Sequence, residues 1–307
     1  MLDAERPRRV QPATEVGPLI GLRIWIGPGI WRIGPAWAVL TGALTSGAAL
    51  WADATPLRLV GAVLLADSVW GVLWRMTALA PGVQDESTAE TIGLPYYRQT
   101  SPAGRFLRLL RRISGGAGWP ELFASLVAAL ILGLLLGTPA LILTVAAWAI
   151  TLWGWLLIQA GRLPAACDAM LNVGLPWLLG WAITAPAIPI SVAQLLDGAY
   201  EPLRSLNAPS GLLLGLAFVI QEWGIRRTSL SQGRRLIGLW AGQAAVPAAL
   251  IGLHQTPTVI VVAALFLPGA WLFWRAGHGQ AALAVALSRS DPWRLAAMLT
   301  AALLLMR

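Results

Sequence analysis

An all-α, polytopic bundle embedded in a membrane is what the sequence predicts, and three observations carry that expectation. The chain of 307 residues is 57% hydrophobic and only 12% charged, with a mean hydropathy of +0.68. Soluble domains carry about 25% charged residues, so this chain lacks the charge to cover a water-facing surface. About nine apolar runs, most of them close to the roughly 20 residues that a span requires, follow one another along it. Finally, all 22 basic residues are arginine, and they are sorted by side. They fall in alternate gaps between the runs: Arg6 to Arg32, Arg75 to Arg112, Arg162, Arg226 to Arg235 and Arg275 to Arg294. Only Arg58, Arg204 and Arg307 fall in the other gaps. This is the positive-inside pattern of a protein of the cytoplasmic membrane, with its N-terminus inside and its C-terminus on the opposite side.

Residues 1–33 read as a cytoplasmic, interfacial amphipathic segment, with Trp25 and Trp31 beside Arg23 and Arg32. The transmembrane domain occupies 34–307, with spans expected near 34–52, 57–79, 119–137, 139–159, 171–193, 209–225, 236–253, 257–274 and 292–306. Short Gly- and Pro-bearing connections at 53–56, 137–139 and 254–256 suit tight turns between antiparallel helices. Two cytoplasmic loops stand out, one over about 80–118 and one over 226–235. Asp291-Pro292 reads as the N-cap and first residue of the last helix.

The net charge of +8 does not point to nucleic acid: its arginines are dispersed over loops, no nucleic-acid-binding motif is present, and membrane lipids account for the sign. The single cysteine, Cys167, excludes a disulfide framework and a Cys-rich metal site. His254 and His278 are expected on opposite sides and cannot share a metal. No phosphate-cradling glycine motif and no zinc spacing occurs.

Asp67 is the one acid well inside an early span. An ionised group there costs roughly 2.5–3.5 kcal/mol on insertion scales, so it faces the bundle interior. Trp70 and Trp74 lie at i+3 and i+7, on the same helical face. Two readings stand: a polar anchor in a lipid or ligand site walled by indoles, or an interhelical hydrogen bond that fixes packing, the commoner role. Glu222 and Arg226 are spaced for an i,i+4 pair at a helix end. Asp85, Glu86 and Glu90 are three acids in a short stretch. Such a set can hold a hard cation through oxygen, and equally it can be a solvated loop.

Several stretches together resemble the UbiA superfamily of intramembrane prenyltransferases, and chlorophyll synthases most. They are WRIGPAWAVLTGALTSGAAL at 31–50, Ser101-Pro102-Ala103-Gly104-Arg105, Gly174-Leu175-Pro176-Trp177, and SRSDPWRLAAMLTAALL at 288–304. The resemblance covers most of the chain and implies a fold of nine helices. It also implies a prenyl diphosphate bound through Mg²⁺ held by two acidic motifs on the cytoplasmic side, because the leaving group's charge must be neutralised.

Both motifs are degenerate. Over Gln84 to Ile92, Asp85 matches the first aspartate, while Gln84, Thr88 and Ile92 replace the other expected residues. The second motif falls on Arg226, Arg227, Arg234 and Arg235, in a loop without acids. Arginines cannot ligate Mg²⁺, although they can hold phosphate as bidentate donors. The expectation is a pseudoenzyme that binds an isoprenoid lipid, a quinone or a prenylated, (bacterio)chlorophyll-type pigment, or serves as a subunit of a larger membrane complex. The chlorophyll-synthase likeness would make that complex photosynthetic. The alternative is an active prenyltransferase, with Mg²⁺ on Asp85, Glu86 and Glu90 and the diphosphate on Arg98 and the 226–235 arginines. A purely structural subunit is the third reading.

Overall fold

The computed structural model describes residues 34–46, 55–71, 73–74, 119–160, 162, 164–184, 208–230, 236–276 and 280–305. The N-terminal segment 1–33 and the 80–118 loop, with Arg98, Asp85, Glu86 and Glu90, lie outside these residues. So do Arg234 and Arg235.

Among the described residues the chain is helical and no strand occurs. Each apolar run coincides with a helix: α1 Pro35–Thr45, α2 Thr55–Val63 continuing as a π-helix over Leu64–Trp70, α3 Trp119–Leu136, α4 Thr138–Gln159, α5 Ala165–Thr184 with a π turn at Met170–Gly174, α6 Ala208–Leu230, α7 Leu236–Gly252, α8 Thr256–Ala276 and α9 Gln280–Leu305. Prolines mark many of the starts. Pro35 opens α1, and Pro56, Pro120, Pro139, Pro209 and Pro257 take the second position of α2, α3, α4, α6 and α8. There the missing N–H costs no hydrogen bond and the fixed φ suits the helix.

Two tight turns carry the expected chemistry. Gly137 joins α3 to α4 at φ +105°, a conformation that favours glycine. His254 stops α7 at φ +56°. Its N–H donates to the Ile251 carbonyl at 2.9 Å, and the Gln255 N–H donates to the Leu250 carbonyl at 3.0 Å. That is a Schellman stop with histidine in the left-handed position.

The helices share two large apolar clusters. One gathers α1 to α5 around Val39, Leu65, Trp70, Leu136, Leu175 and Leu179. The other gathers α6 to α9 around Leu214, Phe218, Val246, Val262 and Met298. Helices α1 and α5 contribute to both, and they touch most closely at reciprocal glycines. A Cβ on Gly42 would collide with the Trp177 carbonyl, and one on Gly180 with the Val39 carbonyl. Small residues that admit backbone to backbone are how helices associate where lipid removes the hydrophobic driving force. Trp177 then joins α5 to α6: its ring stacks on Phe218 at 5.8 Å and its indole N–H donates to the Gly211 carbonyl at 3.1 Å.

The exterior is apolar. Leu57, Leu134, Leu135, Ile142, Ile260, Leu267 and Trp274 are each at least 60% exposed, which water would not tolerate over so much surface. Helices α4, α5 and α8 are long and apolar enough to cross a membrane, and α3 and α7 carry shorter apolar stretches. The membrane-type windows of α4 and α8 are 28% buried, and that of α5 is 61% buried, so α5 is the central one.

Two boundaries differ from the sequence expectation. Helix α5 begins at Ala165 rather than near 171, which brings Asp168 into the bundle. Asp291-Pro292 does not start the last helix: α9 runs from Gln280 straight through Pro292. The Ala- and Leu-rich stretch before it is a strong helix former, and a helix broken within an apolar bundle would leave several backbone groups unpaired instead of one.

Candidate functional site

A chain of charged side chains crosses the bundle where α2, α5, α6 and α9 meet. It starts at Asp168, in the first turn of α5. The Trp74 indole N–H donates to Asp168 Oδ1 at 2.9 Å, and Asn172 Nδ2 donates to the same oxygen at 2.8 Å. Asn172 also donates to the Asp168 carbonyl at 2.8 Å, supplying a second donor where the helix changes from α to π geometry. The other carboxylate oxygen, Oδ2, lies 3.0 Å from Arg226 Nε. That nitrogen hydrogen-bonds Glu222 Oε1 at 2.7 Å. Glu222 Oε2 accepts from Arg294 Nη2, and Arg294 Nη1 donates to Asp291 Oδ1 at 3.0 Å.

Burial varies along this chain. The Glu222 and Arg294 side chains are 4% exposed, those of Asp291 and Asp168 14% and 15%, and that of Arg226 36%. The Glu222–Arg294 ion pair inside the chain is therefore its deepest part, and Arg226 borders the surface. Next to Glu222 in sequence, Gln221 donates to Gln243 Oε1 at 3.1 Å, joining α6 to α7. Gly224 and Gly242 allow the approach, since a Cβ on Gly224 would collide with the Gly238 carbonyl.

These contacts place the end of α2, the start of α5 and the end of α6 together. The small apolar cluster of Ile225, Leu239, Phe273 and Ala286 adds α7, α8 and α9. The described arginines gather towards this end, while Arg58 sits at the opposite one, donating to the Leu136 carbonyl at the end of α3 at 3.3 Å.

The residues singled out in the sequence take different places. Asp67 and Trp70 lie buried in the π segment of α2, with Trp70 1% exposed. Trp74 reaches the ionic chain. The Glu222–Arg226 pair forms as its spacing suggests, but it is no isolated helix-end bridge, because Asp168 and Arg294 join it. Arg227 stays apart, with its guanidinium carbon 5.1 Å from the centroid of the Trp223 ring, a cation–π contact. Asp291 caps no helix and serves Arg294 instead. Sequence reasoning missed Asp168, Asn172 and Arg294; Asp168 and Arg294 meet partners on helices distant in the chain, and Asn172 serves Asp168 one turn before it.

The donor set does not suit Mg²⁺. Asp168 and Asp291 are each engaged by one arginine and Glu222 by two, so a cation already competes with a metal at every carboxylate. Among the described residues, no group of three or more His, Cys, Asp or Glu side chains is placed to hold a metal ion. Arg226 Nε is held between two carboxylates, Asp168 and Glu222. What the arrangement offers is a polar wall, with the Trp74 and Asn172 N–H groups donated to Asp168, beside the apolar packing of α2 and α4. No family model, curated protein or solved structure matches the chain.

Proposed function

We propose that this protein is an integral protein of the cytoplasmic membrane with nine spans and a UbiA-like build, and that it binds an isoprenoid lipid, quinone or prenylated pigment without Mg²⁺-dependent prenyl transfer. The arginine-rich end faces the cytoplasm, in keeping with the charge sorting. The observation that carries the reading is the Asp168–Arg226–Glu222–Arg294–Asp291 chain. It uses the buried carboxylates and the first motif arginine for each other, and so removes them from metal and diphosphate chemistry.

The Asp168–Arg226 end suits the head of an amphiphile. A quinone or ester carbonyl would take the Trp74 indole N–H in exchange for Asp168 Oδ1, and a prenyl tail would lie along apolar helices. The test is organic extraction of protein purified in mild detergent, followed by mass spectrometry. A near-stoichiometric isoprenoid, quinone or pigment, lost in Trp74→Ala/Asn172→Ala with the helical content intact, is the expected result. An extract holding only bulk phospholipid, from a protein that purifies stoichiometrically with a larger complex, would replace this reading with a structural subunit.

A further inference from the structure

The tryptophans are not spread evenly over the exterior. Among the described residues the exposed ones are Trp153 on α4, Trp240 on α7, Trp271 and Trp274 on α8, and Trp293 on α9. Four of these five therefore belong to α7–α9. Trp271 and Trp274 are neighbours, with ring centroids 5.2 Å apart. Two exposed arginines, Arg275 on α8 and Arg289 on α9, lie on the same helices, and no ion pair engages either one among the described residues. None of the described acidic side chains with an assigned burial is exposed.

The fold sets these groups at a common depth. Leu239, Phe273 and Ala286 meet in one apolar cluster, and Trp240, Trp274–Arg275 and Arg289 lie within three residues of them. A Cβ on Gly269 would sit 3.3 Å from the Ser290 Cβ, which fixes the register of α8 against α9. From there Arg275 is six residues towards the arginine-rich end and Arg289 one. The difference of five residues is about 7.5 Å along the axes, within reach of two arginine side chains converging on one headgroup.

We infer that the α8–α9 rim is a binding site for an acidic phospholipid of the cytoplasmic leaflet. Arg275 and Arg289 hold its phosphate, and Trp271 and Trp274 pack against the glycerol and upper acyl region. Charge complementarity selects this occupant: among the described residues with an assigned burial there are exposed cations, no exposed acid to repel phosphate, and indoles of the kind that settle at headgroup depth. Guanidinium groups match phosphate oxygens bidentately. This rim is independent of the proposed ligand site at Asp168 and Trp74, which lies on other helices.

Native mass spectrometry of the whole protein, titrated with phosphatidylglycerol or phosphatidylcholine, tests it. The wild type should retain phosphatidylglycerol preferentially. Arg275→Gln/Arg289→Gln should weaken that retention about twenty-five-fold, given about fivefold per basic residue near an anionic surface. Arg162→Gln, an exposed arginine on the other half, should leave it unchanged. Equal retention of both lipids, or an undiminished preference in the double variant, would overturn the site. Complete displacement by millimolar inorganic phosphate would make it a free-anion site instead. Recovery of a stoichiometric protein partner that protects Trp271 and Trp274 would make the face a protein interface.

Discussion

Replacing Arg294 by methionine is the sharpest perturbation of the buried ionic chain. The side chain is 4% exposed and contacts Glu222, itself 4% exposed, and Asp291 at 3.0 Å. The chain contains three carboxylates (Asp168, Glu222, Asp291) and two arginines (Arg226, Arg294), a formal charge of −1. Arg294→Met leaves three carboxylates against one arginine, −2, and strands half of Glu222 in an apolar interior. Breaking a buried pair from one side costs about 3–5 kcal/mol. Adding Glu222→Gln returns the count to two carboxylates and one arginine, −1, and removes the stranded charge. The double variant should therefore be more stable than Arg294→Met alone by about 2 kcal/mol, although it lacks more native contacts. Equilibrium unfolding in mixed detergent and SDS micelles, followed by tryptophan fluorescence, gives the free energies of the wild type, Arg294→Met, Glu222→Gln and the double variant. A loss below about 1 kcal/mol for Arg294→Met, or strictly additive single variants, would refute the picture of a buried, mutually dependent pair.

Packing and accessibility supply further predictions. Gly42→Ala or Gly180→Ala forces a Cβ into the facing backbone and should cost roughly 1–3 kcal/mol. Gly252→Ala meets nothing within 4 Å and should raise stability by up to about 1 kcal/mol; thermal melts in detergent separate the two signs. Trp74→Phe deletes the donor to Asp168 and should destabilise the protein by about 1 kcal/mol, with the proposed ligand bound more weakly in the extraction assay. Cys167, 5% exposed, should resist maleimide in the native protein and react fully in SDS; rapid native labelling would contradict the start of α5 at Ala165.

Local features are legible in the sequence because local physics sets them. Apolar runs, first-turn prolines and Gly137 each act within a few residues, and each coincides with a helix or turn. The i,i+4 spacing likewise exposes Glu222–Arg226. The links between helices are assembled over distance. Arg294 lies 72 positions from Glu222, and Trp74 lies 94 from Asp168, so no window along the chain contains both partners. Asp168 also precedes the expected start of its span, since Ala165–Ala169 is less apolar than the remainder of α5. Asp291-Pro292 misleads for the opposite reason: its local signature is that of a helix start, yet the upstream residues already favour helix. The π segments at Leu64–Trp70 and Met170–Gly174 leave no periodic mark, and they lie beside Trp74 and Asp168.

The central claim is that the charged chain serves binding and architecture in place of metal-assisted prenyl transfer. Purified protein incubated with geranylgeranyl diphosphate, with and without Mg²⁺, tests it most directly when released diphosphate is followed over time. Release no faster than in protein-free controls is the predicted result under both conditions. Mg²⁺-dependent release that Asp85→Ala abolishes would contradict it and establish an active prenyltransferase.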